Sequence, residues 1–369
     1  MKKILWITLQ APEKTTGFGV VFYYRLKALK DLGFEVKVAN FLAPFDQKNN
    51  QGVRRPSYWS IPMLLRSIVR NTPFVTERHF SKEFKEYLLR FRSWNPDIII
   101  AAPDFMAPHL KFFKNRKIIE VHDIRFWVYK QYLKLAKPLL KPFLLWETLR
   151  TQKFEVSCGN LSDEQWLIGK DDFTLSSLCG FKNPFYVPVS LALNDYSCIT
   201  EGEKLLFIGS YTWFPNRDAL DYLLKEIWPE IVKKFTNQEL LVIGRMFPSI
   251  VYNINGVKVL GEVHDLREVW QQCGILVAPL RIGTGVRIKI LEAMAMGKAV
   301  ITTKEGAEGL EYLPGSLVIA KDKYDFIDKL GWLIKNPKTR KEIGKVARKS
   351  VEYFYSQERV KLILKARLL

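Results

Sequence analysis

Short apolar runs alternate with helix-length amphipathic stretches along this chain, twice over, and few folds satisfy that pattern. "KKILWITL" reads as a buried strand. "TTGFGVVFYYRLKALKDLG" follows as a loop and then a helix, with apolar residues at three-to-four spacing and Gly33 as its stop. "FEVKVANF" is the next strand. Strand, glycine loop, helix, strand is the opening of a doubly wound parallel sheet. "PDIIIAA", "RKIIEVHD", "FEVSCG" and "PFYVPV" are read as further strands, with helices over 80–93 and over 126–152. Periodicity fades over 190–203, and a second alternation starts at "KLLFIGS". It runs through helix 216–235, strands "ELLVIG" and "VKVLG", helix 265–273, and strands "ILVAPL", "AVITT" and "SLVIA"; helices follow from about 324. The predicted fold class is therefore α/β, with two Rossmann-like domains facing across a cleft and ligands beyond the carboxyl ends of the strands.

A chain of 369 residues suits two such domains. Its formal charge of +19 calls for an anionic partner or a solvated basic surface. Nucleic acid, an anionic membrane and phosphorylated substrates all fit the sign, but no nucleic-acid-binding signature is present. Cys158, Cys179, Cys198 and Cys273 have no CxxC spacing and read as reduced packing residues of a cytoplasmic protein. The four histidines are scattered, so no zinc site is expected. The apolar run in "MKKILWITLQAPEK" is too short for a signal peptide, and no run reaches the ~18 residues of a membrane span. "GVRRPSYWSIPMLLRSIVRNTPF" and "RFWVYKQYLKLAKPLLKPFLLW" mix Lys and Arg with Trp, Tyr, Phe and Leu. They fit equally an anionic membrane surface, on the inner face of the membrane, and amphipathic helices packed on a sheet.

The richest chemistry lies in "PLRIGTGVRIKILEAMAMGKAVITT", residues 279–303. Gly283 and Gly285 clear side chains from a strand-to-helix turn, so backbone N–H groups can face a ligand. Arg287 and Lys289 stand where cations oppose the helix dipole, which implies an anion nearby. Glu292, about one turn further, can accept bonds from two sugar hydroxyls. A second junction, "FIGSYTWFPNRDAL", offers Gly209 and Ser210, with Asn216 as a helix cap. Arg245 follows a strand and serves as a phosphate or sugar ligand or as a surface arginine. Val263 and His264 form a loop on which a nucleobase can rest; Asp265 caps the helix after it. In the N-terminal half Gly17 and Gly19 allow close approach of backbone to ligand, without the third glycine of a dinucleotide fingerprint. His122 and Asp123 end a strand and can orient a hydroxyl or steady charge, or be satisfied locally. Glu147 and Lys153 read as surface pairs. There is no Asp-x-Asp clamp for a nucleotide-bound metal, so Arg, Lys and helix N-termini must meet a diphosphate.

On these residues the chain resembles a GT-B glycosyltransferase, most of all the retaining enzymes of family 4. "PLRIGTGVRIKILEAMAMGKAVITTKEGAEGL" carries the signature, and "TTGFG" and "VHD" the looser likeness of the first half. The resemblance implies an acceptor-binding domain over 1–195, a nucleotide-sugar-binding domain over 196–352, and a helix over 353–369 returning to the first. It implies a nucleotide-sugar donor, a glycan or lipid-linked acceptor, and no separate cofactor or metal. Residues 283–289, Val286 included, match the pyrophosphate-binding segment; Glu292 matches the glutamate on the donor ribose; His122 matches a histidine near the reacting sugar. Thr284 stands where the family's Glu-x7-Glu motif has its first glutamate, as in a subgroup with "GTG". The donor-sugar contact then falls to Thr284 and the flanking glycine backbones, with Arg281, Arg287 and Lys289 supplying positive charge. A catalytically inactive scaffold of the same fold and a basic nucleic-acid binder are the alternatives.

Overall fold

Alternation along β1 (Lys3–Thr8) sets the first half of the molecule. Ile4 and Trp6 face one core, with Phe22 and Leu29; Leu5 and Ile7 face another, with Phe84, Leu88 and Met106. A strand buried on both faces needs no polar positions, which is why it reads as one apolar run.

The computed structural model describes residues 1–14, 16–42, 53–54, 60–263 and 265–369. It divides into two units. One comprises Met1–Val189, Thr284–Val286 and Val360–Leu369; the other comprises Ser190–Gly283 and Arg287–Arg359.

The first unit is a parallel sheet in the order β3-β2-β1-β4-β5-β6-β7. Its strands after β1 are β2 (Glu35–Leu42), β3 (Val53–Arg54), β4 (Ile98–Ala102), β5 (Arg116–Val121), β6 (Glu164–Leu167) and β7 (Pro184–Tyr186). The helices are α1 (Gly17–Asp31), α2 (Ile61–Val69), α3 (Phe74–Arg78), α4 (Lys82–Leu89), α5 (Arg125–Leu135), α6 (Lys141–Ser157) and α7 (Lys170–Leu178).

The second unit is a parallel sheet in the order β10-β9-β8-β11-β12-β13. Its strands are β8 (Lys204–Ile208), β9 (Leu240–Ile243), β10 (Val257–Gly261), β11 (Cys273–Ala278), β12 (Ala299–Thr303) and β13 (Val318–Ala320). Around it run α8 (Phe214–Tyr222), α9 (Trp228–Lys234), α10 (Arg267–Gln272), α11 (Ile288–Ala295), α12 (Lys304–Ala307), α13 (Lys323–Lys335) and α14 (Pro337–Tyr355). Its core packs Phe207, Val242 and Val277 against Leu220, Ile227, Phe326 and Leu330.

The last helix, α15 (Gln357–Leu368), begins in the second unit and ends in the first. Val360, Leu364 and Leu368 are fully buried in the core that holds Ile4 and Trp6. Arg367 pairs with Glu164 at 3.1 Å and Lys361 with Asp31 at 2.6 Å.

Four sequence readings are corrected. "FEVSCG" is not a strand: Phe154–Ser157 complete α6, and the strand is the more polar "EQWL" of β6. Glu164 is legible there only in three dimensions, where Arg116, Arg367 and the Trp166 Nε1–H donate to it. The helix expected over 126–152 is two helices, parted at Ala136–Leu140, where Pro138 opens a short 3₁₀ turn. Gly17 and Gly19 lie in the first turn of α1 and not in a loop before it; Thr16 caps the helix, and its Oγ1 accepts from Gly19 N at 3.0 Å. Glu147 is buried, paired with Arg150, and accepts from Phe74 N at 3.2 Å.

Candidate active site

In the second unit the strand order reverses between β8 and β11, the switch point at which doubly wound sheets bind ligands. On the β8 side, the loops leaving β8, β9 and β10 are laced together by backbone. Gly209 N donates to Ile243 O at 2.8 Å, Tyr211 N to Arg245 O at 3.0 Å, and Gly244 N to Gly261 O at 2.8 Å. Ser210 Oγ lies 2.8 Å from Thr212 Oγ1.

Lys289 spans the switch point. From the first turn of α11 its Nζ donates to Ile208 O and to Asn216 Oδ1, both at 2.9 Å. The residue keeps some surface, but its ammonium is enclosed. Burial, with Arg287 adding like charge, pushes it down to about 7. Asn216 therefore takes a bond from Lys289, where the sequence offered it only as a helix cap. Arg287 occupies the N-cap position of α11 and donates to Glu305 O at 3.4 Å. Its guanidinium covers Gly283, which has φ +132° and no room for a β-carbon. Glu292 is half-buried, and its Oε1 accepts from the Tyr196 hydroxyl at 3.2 Å.

The other expected donor ligands lie further out. Arg281 is held by Asp218 at 2.6 and 3.0 Å and sits over the Tyr222 ring. Arg245 pairs with Glu262 on the surface. Val263 is half-buried after β10, and His264 lies outside the described residues. Asp265 binds the Arg267 guanidinium through both carboxylate oxygens and accepts from Arg267 N at 3.0 Å.

In the first unit the carboxyl end of β5 carries a buried charge relay. Glu120 and His122 are two residues apart on an extended strand end and share a face. His122 Nε2 lies 2.9 Å from Glu120 Oε1, and Arg25 Nε donates to Glu120 Oε2 at 2.9 Å. Arg25 Nη2 also donates to Val187 O at 2.8 Å. Burial alone would raise the Glu120 pKa, but Arg25 and His122 hold it below the ordinary carboxylate value. Facing that carboxylate, His122 Nε2 donates to Glu120 Oε1. The Phe18 ring, from the first turn of α1 between Gly17 and Gly19, stacks on the imidazole at 4.8 Å between centroids. The carboxylate on His122 Nε2 is thus Glu120, which the sequence did not single out.

The turn into α5 is fixed from behind. Arg125 pairs with both Asp104 and Glu155, and Glu155 also accepts from Arg125 N and Phe126 N at 3.0 and 3.2 Å. Two carboxyls share one guanidinium, and burial pushes Glu155 up to about 8. Thr284–Val286 belong to this unit. Thr284 is buried, and its hydroxyl reaches Ile124 O at 3.5 Å. Gly285, at φ +75°, fits because a β-carbon there would overlap the Asp123 carboxylate and the His122 carbonyl.

Arg25, Phe18, Glu120, Asp104, Glu155 and Tyr196 were absent from the sequence reading. Only Glu120 left a signal, the Glu-x-His spacing on one strand face. The others come from elements far apart in the chain.

Residues 202–336 match the family model "Glycosyl transferases group 1". The chain is 24% identical over 280 residues to an uncharacterized 44.6 kDa protein in the cps region of Klebsiella pneumoniae, covering 72% of each. Among solved structures it is similar to sucrose-phosphate synthase from Thermosynechococcus elongatus, with a TM-score of 0.73 at 14% identity over 100% of this chain and 98% of that one. It is likewise similar to Anabaena HepE, with a TM-score of 0.68 at 13% identity over 100% and 99%. Residues 202–336 thus match the glycosyl transferases group 1 model, and the fold of the chain is that of these solved structures.

Proposed function

We propose that this protein transfers a sugar from a nucleotide-diphosphate sugar to a hydroxyl of a glycan or lipid-linked saccharide, with retention and without a metal. The second unit holds the donor and the first holds the acceptor. The observation that carries this reading is the switch point of the second unit: Gly283 with positive φ, Arg287, and an enclosed Lys289 whose charge is poorly stabilised until an anion arrives. In this reading Arg287, Lys289 and the backbone N–H groups around Gly283 meet the diphosphate and stabilise it as it leaves. Glu292 holds the ribose. The departing phosphate takes the acceptor proton, so the protein need supply no strong base. His122, fixed by Glu120, orients the acceptor in the first unit. HepE, which is similar in fold, was solved with UDP-glucose, and the Klebsiella relative lies in the cps region.

The test is calorimetric titration with UDP-glucose and other nucleotide sugars. Glu292→Ala is expected to weaken donor binding about tenfold or more, the loss of a charged hydrogen-bonding partner. Unchanged affinity would remove Glu292 from the site. Thr284, a buried neutral side chain where the family has a glutamate, favours an inactive scaffold as the second reading. Slow hydrolysis of a bound donor by the purified protein excludes it.

A further inference from the structure

Helix α2 is inside out. Ile61, Leu65, Ile68 and Val69 form the i, i+4, i+7, i+8 stripe that a globular helix turns inward, yet all four are exposed, and Val69 is 83% accessible. The buried side of the helix is Met63 and Ser67. Helix α6 and the turn before it repeat the anomaly. Leu139, Phe143, Leu145, Trp146 and Leu149 are exposed, Leu139 to 91%.

The two faces are stitched together. Arg150 Nη1 donates to Ser67 O at 3.2 Å and its guanidinium lies over Trp146, while the Phe74 ring stacks on Phe143 at 6.0 Å. The charge around them has one sign. Between 125 and 157, Lys130, Lys134, Lys137, Lys141 and Lys153 are exposed, whereas Glu147 and Glu155 are buried in ion pairs with Arg150 and Arg125. Arg66 and Arg70 flank the α2 stripe, and Arg70 reaches the buried Glu77 at 3.3 Å.

We propose that this face of the first unit docks on an anionic lipid bilayer. The apolar side chains enter the boundary between headgroups and acyl chains, Trp146 lies at headgroup depth, and the lysines reach back to lipid phosphates. Charge complementarity selects this occupant. A second copy related by a two-fold axis would set lysines against lysines, and nucleic acid would leave the leucines and isoleucines uncovered. The proposal is independent of the transfer reaction, because it is read by binding alone.

The experiment is co-sedimentation of the full chain with vesicles of phosphatidylcholine, with and without phosphatidylglycerol, at low and high salt. The protein is expected to pellet with the anionic vesicles at low salt and to partition at least about tenfold less onto neutral ones. Leu65→Ser/Leu149→Ser is expected to abolish pelleting, while Ile250→Ser, an exposed apolar change in the second unit, leaves it intact. Lys134→Glu/Lys137→Glu/Lys141→Glu touches only exposed positions and is expected to weaken partitioning by at least about tenfold, which guards against misfolding of the apolar variant. Wild-type protein that stays in the supernatant with anionic vesicles at low salt overturns the proposal. So does an apolar variant that pellets normally, or a wild-type dimer in sedimentation that the same variant makes monomeric.

Discussion

Lys289 is a cation stored in a place that disfavours its charge. Enclosed beside Arg287, it titrates at about 7 and not at its ordinary 10.5. The sign of the consequence follows. Well below pH 7 the amine already carries its proton, so an arriving diphosphate changes nothing. At pH ~8 it is mostly neutral, and a docked anion raises its pKa and draws a proton from solvent. Binding of a nucleotide sugar at pH ~8 is therefore expected to take up close to one proton, and Lys289→Met to take up none. Titration calorimetry in two buffers of different ionisation heat measures this directly. A binding heat independent of buffer in the wild type would place the diphosphate elsewhere.

Between elements, the Arg25–Glu120 pair fixes α1 to β5 and so fixes the imidazole. Arg25→Met leaves a buried carboxylate without its guanidinium and is expected to cost about 3–5 kcal/mol. Arg25→Met/Glu120→Met removes both charges and is expected to recover most of that loss. Denaturant unfolding of these two and of Glu120→Met gives the coupling, and equal losses in Arg25→Met and the double variant would show that the ion pair is not the bond that matters. This pair also shows where sequence reading stops. The parallel strands β1 and β4 were legible because burial on both faces leaves a nearly continuous apolar run, and β5 because its buried end keeps Ile118, Ile119 and Val121 around Glu120. β6 was not, because a salt bridge from Arg116 and Arg367 makes Glu164 acceptable in a buried position. The apolar letters of "FEVSCG" belong equally to a strand or to the last turn of a helix, and a run so short has no period to decide between them. At the proposed donor loops, the glycines and Glu292 were visible as letters. That Lys289 reaches across to Ile208 O was not, because nothing in one strand-to-helix stretch tells which other strand lies beside it.

Across the whole molecule, α15 completes a core begun by β1. Leu364 is fully buried there, and Leu364→Ala is expected to cost the first unit about 2–5 kcal/mol. Unfolding followed by domain-resolved hydrogen exchange should show protection lost around β1 and α1 and kept around β8 and β11. Equal loss in both would mean that the two units unfold as one. The excess charge is distributed unevenly at this scale too: the lysines of α5 and α6 have no exposed acid among the described residues between 125 and 157.

The crossing of α15 has a consequence for biosynthesis. Met1–Val189 emerges from the ribosome carrying an apolar face shaped for Val360, Leu364 and Leu368, and all of Ser190–Arg359 must be translated before those side chains exist. Throughout that interval the nascent first unit lacks part of its core, whereas every core residue of the second unit is made before Val360. The order of synthesis and the order of folding therefore run in opposite directions in this protein: the half made first is finished last.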